Sequence, residues 1–153
     1  MTWYEYRNED VGFVLRYPAN WEVLEDVPGA AVTLRAPLRS GDDFRPTFTV
    51  MVQGFDEPVT LDGFVGTELR NQARLLTDFY LIDVADARVA DLEAKRVVAA
   101  YRQGIFSLTL DQWWAVAGGG VVVLSGAAES LDYGIAADQF AEIAASFQVA
   151  ANA

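Results

Sequence analysis

From Ile105 to Ala117 the side chains alternate with a period of two. Phe106, Leu108, Leu110, Trp114 and Val116 point one way, and Ser107, Thr109, Asp111 and Trp113 the other. That period belongs to a β-strand and not to a helix, whose faces repeat about every 3.6 residues. The same pattern returns along the chain. Gly12 to Tyr17 places Phe13, Leu15 and Tyr17 on one face. Ala30 to Ala36 sets Val32 and Leu34 against Thr33 and Arg35, and Pro46 to Gln53 sets Phe48, Val50 and Val52 against Thr47, Thr49 and Met51. Trp21 to Glu25, Leu81 to Val89, Ala94 to Gln103 and the β-branched run Val121 to Ala128 complete eight extended segments.

Turn chemistry separates them. Pro18-Ala19-Asn20 and Pro28-Gly29 reverse the chain, Gln103-Gly104 and Gly118-Gly119-Gly120 are expected hairpin connections, and the stretch 37–45 reads as a loop. Two segments change to helical spacing. Thr60 is the expected N-cap of the first, with Asp62 at the positive end of the dipole. Leu61, Val65, Leu69, Gln72 and Leu76, with Phe64 beside them, form its stripe, and its end is expected near Asp78. The second starts around Ser130 to Asp132 and carries Ala136, Phe140, Ile143, Ala144 and Phe147. Four strands, a helix, four strands and a helix predict an antiparallel α+β domain over residues 1–149, with helices on the sheet and a frayed tail at 150–153.

Composition narrows the chemistry. The 153 residues include no histidine and no cysteine, so disulfides, zinc fingers, Ser-His-Asp triads and His-ligated metals are excluded. At 52% hydrophobic the chain can fill one core unaided. A net charge of −11 argues against nucleic acid and anionic membranes, which need clustered cations. No apolar run reaches the roughly 20 residues of a spanning helix, so no membrane insertion is expected. The opening Met1-Thr2-Trp3-Tyr4 has no signal-peptide pattern. The chain as written is expected in the cytoplasm, or exported or lipid-anchored if a signal segment has been removed.

Among candidate sites, the glycine triplet precedes a strand and lacks the Lys-Ser/Thr of a phosphate loop, so it reads as a turn. The carboxylate pairs Glu9-Asp10, Glu25-Asp26, Asp42-Asp43 and Asp56-Glu57 follow no calcium-loop pattern and read as solvated charge. The sole lysine, Lys95, is expected at a solvated strand edge. Arg45, at a strand start after an acidic loop, can fork onto Asp42, Asp43 or a partner's carboxylate. The half-polar set Thr33, Arg35, Thr49, Met51, Thr109, Asp111 and Trp113 is the best candidate for a partner-binding face, against the alternative that a helix or second subunit covers it. Trp114 belongs to the core, and Trp113 needs a partner for its N–H. Trp3, Tyr4 and Tyr6 are expected to dock on the domain or to lie in a dimer contact.

Four segments in order resemble the PsbP-like α/β/α sandwich proteins, in their bacterial DcrB-related and LpqN-type branch. They are Gly12-Phe13-Val14-Leu15-Arg16-Tyr17-Pro18-Ala19-Asn20-Trp21; Phe44-Arg45-Pro46 with Thr47 to Val52; Ser107-Leu108-Thr109-Leu110-Asp111-Gln112-Trp113; and Phe140-Ala141-Glu142-Ile143-Ala144-Ala145-Ser146-Phe147. The resemblance implies the fold and a binding role. Relatives include a photosystem II extrinsic subunit, a Ran-binding import factor, lipid-anchored proteins and Eag-type chaperones, and none is an established enzyme. No residue roles carry over.

The expectation is therefore a non-catalytic accessory or chaperone-like module for another protein, without cofactor or metal, and homodimeric. Arg35, Arg45, Thr49, Met51, Thr109, Asp111 and Trp113 would meet the partner. The alternative is a carrier holding a small apolar ligand between sheet and helix.

Overall fold

The computed structural model describes residues 1–38 and 44–149. In chain order the strands are β1 (Trp3–Asn8), β2 (Phe13–Pro18), β3 (Glu22–Leu24), β4 (Val32–Arg35), β5 (Thr47–Gly54), β6 (Thr77–Val89), β7 (Leu92–Gln103), β8 (Phe106–Ala117), β9 (Gly120–Glu129) and β10 (Gln148–Val149). Helix α1 (Leu61–Leu75) lies between β5 and β6, and α2 (Tyr133–Ser146) between β9 and β10. All pairings are antiparallel. A seven-stranded sheet runs β3-β4-β5-β9-β8-β7-β6, and a small sheet runs β1-β2-β10. Thus β3-β4-β5 and β6-β7-β8-β9 are two meanders joined where β5 meets β9, while β2 leaves its neighbours for the small sheet.

Hairpins drive the meanders. The β7–β8 connection puts Gly104 at φ +60° and the β8–β9 connection puts Gly118 at φ +57°, left-handed positions that glycine occupies without a Cβ clash. Thr60 caps α1 as expected, accepting from the Gly63 N–H at 3.0 Å. That helix ends earlier than the periodicity suggests. The Leu76 N–H donates to the Gln72 carbonyl at 2.8 Å, and the chain turns directly into β6 at Thr77.

The main core lies between the seven-stranded sheet on one side and α2 with the small sheet on the other. Phe13, Leu15, Trp21, Phe48, Trp113, Leu124, Phe140, Ile143 and Phe147 meet there. Phe13 stacks on Phe147 with ring centroids 5.3 Å apart. The α2 stripe seats closely because Gly126 of β9 has no side chain: a Cβ there would lie 2.6 Å from the Phe140 ring. On the opposite face α1 covers a smaller cluster, Val97, Trp114 and Val123, with Phe64, Val65 and Leu69.

The aromatic N-terminus docks on the domain as a strand. Tyr6 is buried, its hydroxyl donating to Glu25 at 3.0 Å, and Asn8 donates to the Ala31 carbonyl at 3.3 Å. Eight strands were expected and ten form among the described residues. β1 has one buried side chain, and β10 has two residues, so neither carries a period long enough to read. No helix among the described residues is long and apolar enough to cross a membrane.

Candidate functional site

Directly paired residues share a sheet face, so the register assigns every side chain. One row crosses Thr33, Thr49, Ser125, Gln112 and Val97, and the next crosses Met51, Val123, Trp114 and Lys95. Both lie on the α1 side. Val50, Leu124, Trp113 and Arg96 form a row on the α2 side, as do Phe48, Gly126, Asp111 and Val98. The seven residues expected on one binding face are therefore divided. Thr33, Arg35, Thr49 and Met51 face α1, whereas Thr109, Asp111 and Trp113 face α2.

Those three on the α2 side are buried, which corrects their placement on a partner surface. Trp113 is 6% exposed, packs on Phe48, and carries the Arg96 guanidinium 5.0 Å above its ring. Asp111 is fully buried. Arg96 donates to it from Nε and Nη2 at 2.9 and 2.8 Å, and the Tyr133 hydroxyl donates at 2.8 Å. Burial, then the bond to Asp111, pushes the Tyr133 hydroxyl up to about 12. The Thr109 and Ser130 hydroxyls bond at 2.9 Å. The polar residues of this face thus anchor the start of α2 to the sheet. β8 is central and covered on both sides, so its alternation marks two dry faces and not one dry and one wet.

Arg45 and Arg35 converge on Glu22. Arg35 donates to Glu22 Oε2 from Nη2 at 2.7 Å, Arg45 from Nη2 at 3.2 Å, and Arg45 Nε donates to the Ala36 carbonyl at 2.7 Å. The Arg35 hydrogen bond, more than burial opposes it, holds the Glu22 carboxyl below its usual range. Asp42 and Asp43, the carboxylates expected for Arg45, lie outside the described residues. Lys95 is not at an edge: β7 sits inside the sheet, and the side chain, about a quarter exposed, pairs its ammonium with Asp86. That bond raises the Lys95 pKa.

Two openings remain on the α1 side: a charged one of about 680 Å³ between the start of α1 and β6–β7, lined by Asp62, Asp86, Arg88 and Lys95 among others, and a cleft between α1 and the strands β5 and β9. No α1 residue is fully buried, in contrast to four on α2. A cavity of about 190 Å³ is lined by Met51, Phe64, Gln72, Gln112, Trp114 and Val123 among others. It adjoins a groove of about 510 Å³ that shares Gln53, Phe64 and Glu68 and runs along the helix past Phe55 and Val59. Phe64 stands edge-on to Trp114 with centroids 5.7 Å apart. The Gln72 and Gln112 amides bond at 3.1 Å, and Trp114 Nε1 donates to Gln112 Oε1 at 3.4 Å. Met51, at the mouth, is 37% exposed.

No protein-family model matches the chain, and no curated protein matches it. Solved structures do. PsbP of the cyanobacterium Synechocystis superposes with a TM-score of 0.71 at 14% identity, covering 97% of this chain and 92% of that one. The chain has the PsbP-like fold. LpqN of Mycobacterium tuberculosis, described as involved in cell envelope biogenesis, superposes at 0.72 with 15% identity over 98% and 91% of the two chains. The Ran-binding protein Mog1p of Saccharomyces cerevisiae superposes at 0.65 with 10% identity over 97% and 96%. The fold is therefore the α+β sandwich that the four segments suggested.

Within this fold, Phe64, Glu68, Gln72 and Gln112 line the cleft and were not singled out as binding residues. Phe64 and Gln72 sit in the helical stripe, which reads as ordinary core. Only α1's shallow seating reveals that they border a cavity.

Proposed function

We propose that this chain is a non-catalytic accessory module that binds another protein through the cleft beside α1. The supporting observation is that α1, with no fully buried residue, leaves beside it a continuous cleft floored by Trp114 and rimmed by Met51 and glutamines. Met and aromatic side chains with few charges are the composition of interface centres. Arg35 and Thr49 extend the surface on the same sheet face. A binding role agrees with that of Mog1p, a Ran-binding protein. The only buried carboxylate among the described residues, Asp111, has both oxygens engaged by Arg96 and Tyr133, which supports the non-catalytic part.

The test is quantitative capture from the source cell with the tagged wild type and with Met51→Glu and Gln53→Arg. One stoichiometric protein retained by the wild type and lost by both variants, at unchanged melting temperature, is the expected result. Equal retention by all three overturns the cleft as the docking site.

The cavity volumes also favour a second reading, a carrier of a small apolar ligand. The 510 Å³ groove lies in the range of about 300–1,000 Å³ typical of ligand sites, although the 190 Å³ cavity alone does not. Native mass spectrometry of the purified protein decides it: a retained small molecule supports the carrier, and a bare mass removes it.

A further inference from the structure

The two sheets have four edge strands, and three of them are short. β3 has three residues, β10 two and β1 six, whereas β6 has 13. Among the described residues β6 pairs with β7 alone, so one side of its backbone presents unpaired N–H and C=O groups. β6 is also apolar and exposed on both faces. Leu81 and Val84, opposite Ala99 and Val97, lie on the α1 side, and Tyr80, opposite Ala100, on the α2 side. Tyr80 is 69% exposed and Ile82 52%. Proteins usually shorten, charge or cover such an edge. Here the protection is partial. Register shifts near Phe79 and Ile82 bend the strand but leave Asp83 to Val89 paired one for one with β7, a regular template.

The charges select the occupant. β6 carries Asp78, Asp83 and Asp86 against one Arg88. Asp86 is paired with Lys95, and no cation pairs with Asp78 or Asp83 among the described residues. Pairing β6 with a second copy brings two such strands together on chains of net charge −11. Like charges across a strand pair are destabilising, whereas opposite charges contribute favourably. We infer that the outer edge of β6 accepts, as an added antiparallel strand, an extended segment of another protein in which lysine or arginine alternates with β-branched residues. Backbone hydrogen bonds supply the affinity; Asp83, opposite Val98, lies on the α2 side and Asp86 on the α1 side with Lys95, so the alternating basic side chains take the α2 side, where one opposite Asp83 supplies the selectivity. This surface is separate from the α1 cleft and does not depend on it.

The test uses the full chain, labelled with nitrogen-15, and two blocked nine-residue peptides. One alternates lysine with valine and threonine, and its counterpart replaces each lysine with glutamate. The expected result is saturable binding of the basic peptide alone, weakened by salt, with slowed hydrogen exchange confined to β6 amides. Asp83→Lys, at an exposed position, is expected to weaken that binding at least tenfold while Met51→Glu leaves it unchanged. Absence of saturable binding, equal binding of both peptides, or protection located at the α1 cleft overturns the inference. So does concentration-dependent dimerisation that itself protects β6, which makes a second copy the occupant.

Discussion

Arg96 and Asp111 form a two-pronged ion pair inside the domain, Nε on Oδ1 at 2.9 Å and Nη2 on Oδ2 at 2.8 Å, with the carboxylate fully buried and the guanidinium partly open to water. Removing one partner of a buried pair leaves an uncompensated charge, which costs more than the pair itself contributes. Arg96→Met is expected to destabilise the protein by about 3 kcal/mol, the low end of the range for buried pairs because Arg96 retains water contact. Arg96→Met with Asp111→Leu is expected to recover most of that loss. Urea denaturation of the two variants measures both. A double variant no better than the single one places the contribution in the Arg96–Trp113 contact instead.

The close seating of α2 depends on Gly126. Gly126→Ala would bring a Cβ to 2.6 Å from Phe140, a ring enclosed on all sides. Overpacking of this kind costs about 1–3 kcal/mol. Phe140→Leu in the same chain should recover part of the loss, and thermal melting of the single and double variants reads it. An unaffected melting temperature in Gly126→Ala would show that α2 is free to shift outward.

The two helices should differ in tenacity. Phe140→Ala removes a fully buried ring and is expected to cost about 3–5 kcal/mol, as large-to-small core changes do. Phe64→Ala, on a helix with no fully buried residue, is expected to cost about 1 kcal/mol. Hydrogen exchange should show α1 amides opening well below the global unfolding free energy and α2 amides near it. Equal protection of the two helices contradicts this order.

Tyr133 gives the domain an alkaline limit. Its hydroxyl titrates near 10 when unfolded and near 12 in the fold. A raised folded pKa means the contribution is fully present below about 10 and is lost as pH climbs toward 12, because the unfolded chain releases the proton first. Melting temperature is expected to fall across that window. Tyr133→Phe should fall less steeply, the remainder arising from Tyr6 and Tyr101, whose pKa values burial also raises. Parallel slopes for wild type and variant would remove Tyr133 from this account.

Much of the architecture was legible residue by residue. Thr60 as an N-cap, the stripe Ala136-Phe140-Ile143-Ala144-Phe147 and the glycine hairpins are local devices, and each forms where its residues indicate. The end of α1 was less legible, because Leu75 and Leu76 continue an apolar helical spacing and only the pairing of β6 with β7 pulls Thr77 into a sheet. The candidate site was legible in part. Arg35, Thr49 and Met51 share the α1 side, but Thr109, Asp111 and Trp113 were grouped with them by polarity and lie on the opposite face.

The sequence by itself determined eight of the strands and both helices, and which side chains alternate within each of those segments, because periodicity and turn chemistry act over a few residues. It also excluded every chemistry that needs histidine or cysteine. Only the tertiary structure decided which faces of neighbouring strands coincide, since that follows from inter-strand register. It alone decided that both faces of β8 are covered, that α1 sits shallowly beside an open cleft, and that β6 is left with a free edge. Those outcomes depend on contacts between segments far apart in the chain, and no local pattern encodes which of two dry faces a helix will cover, or how closely.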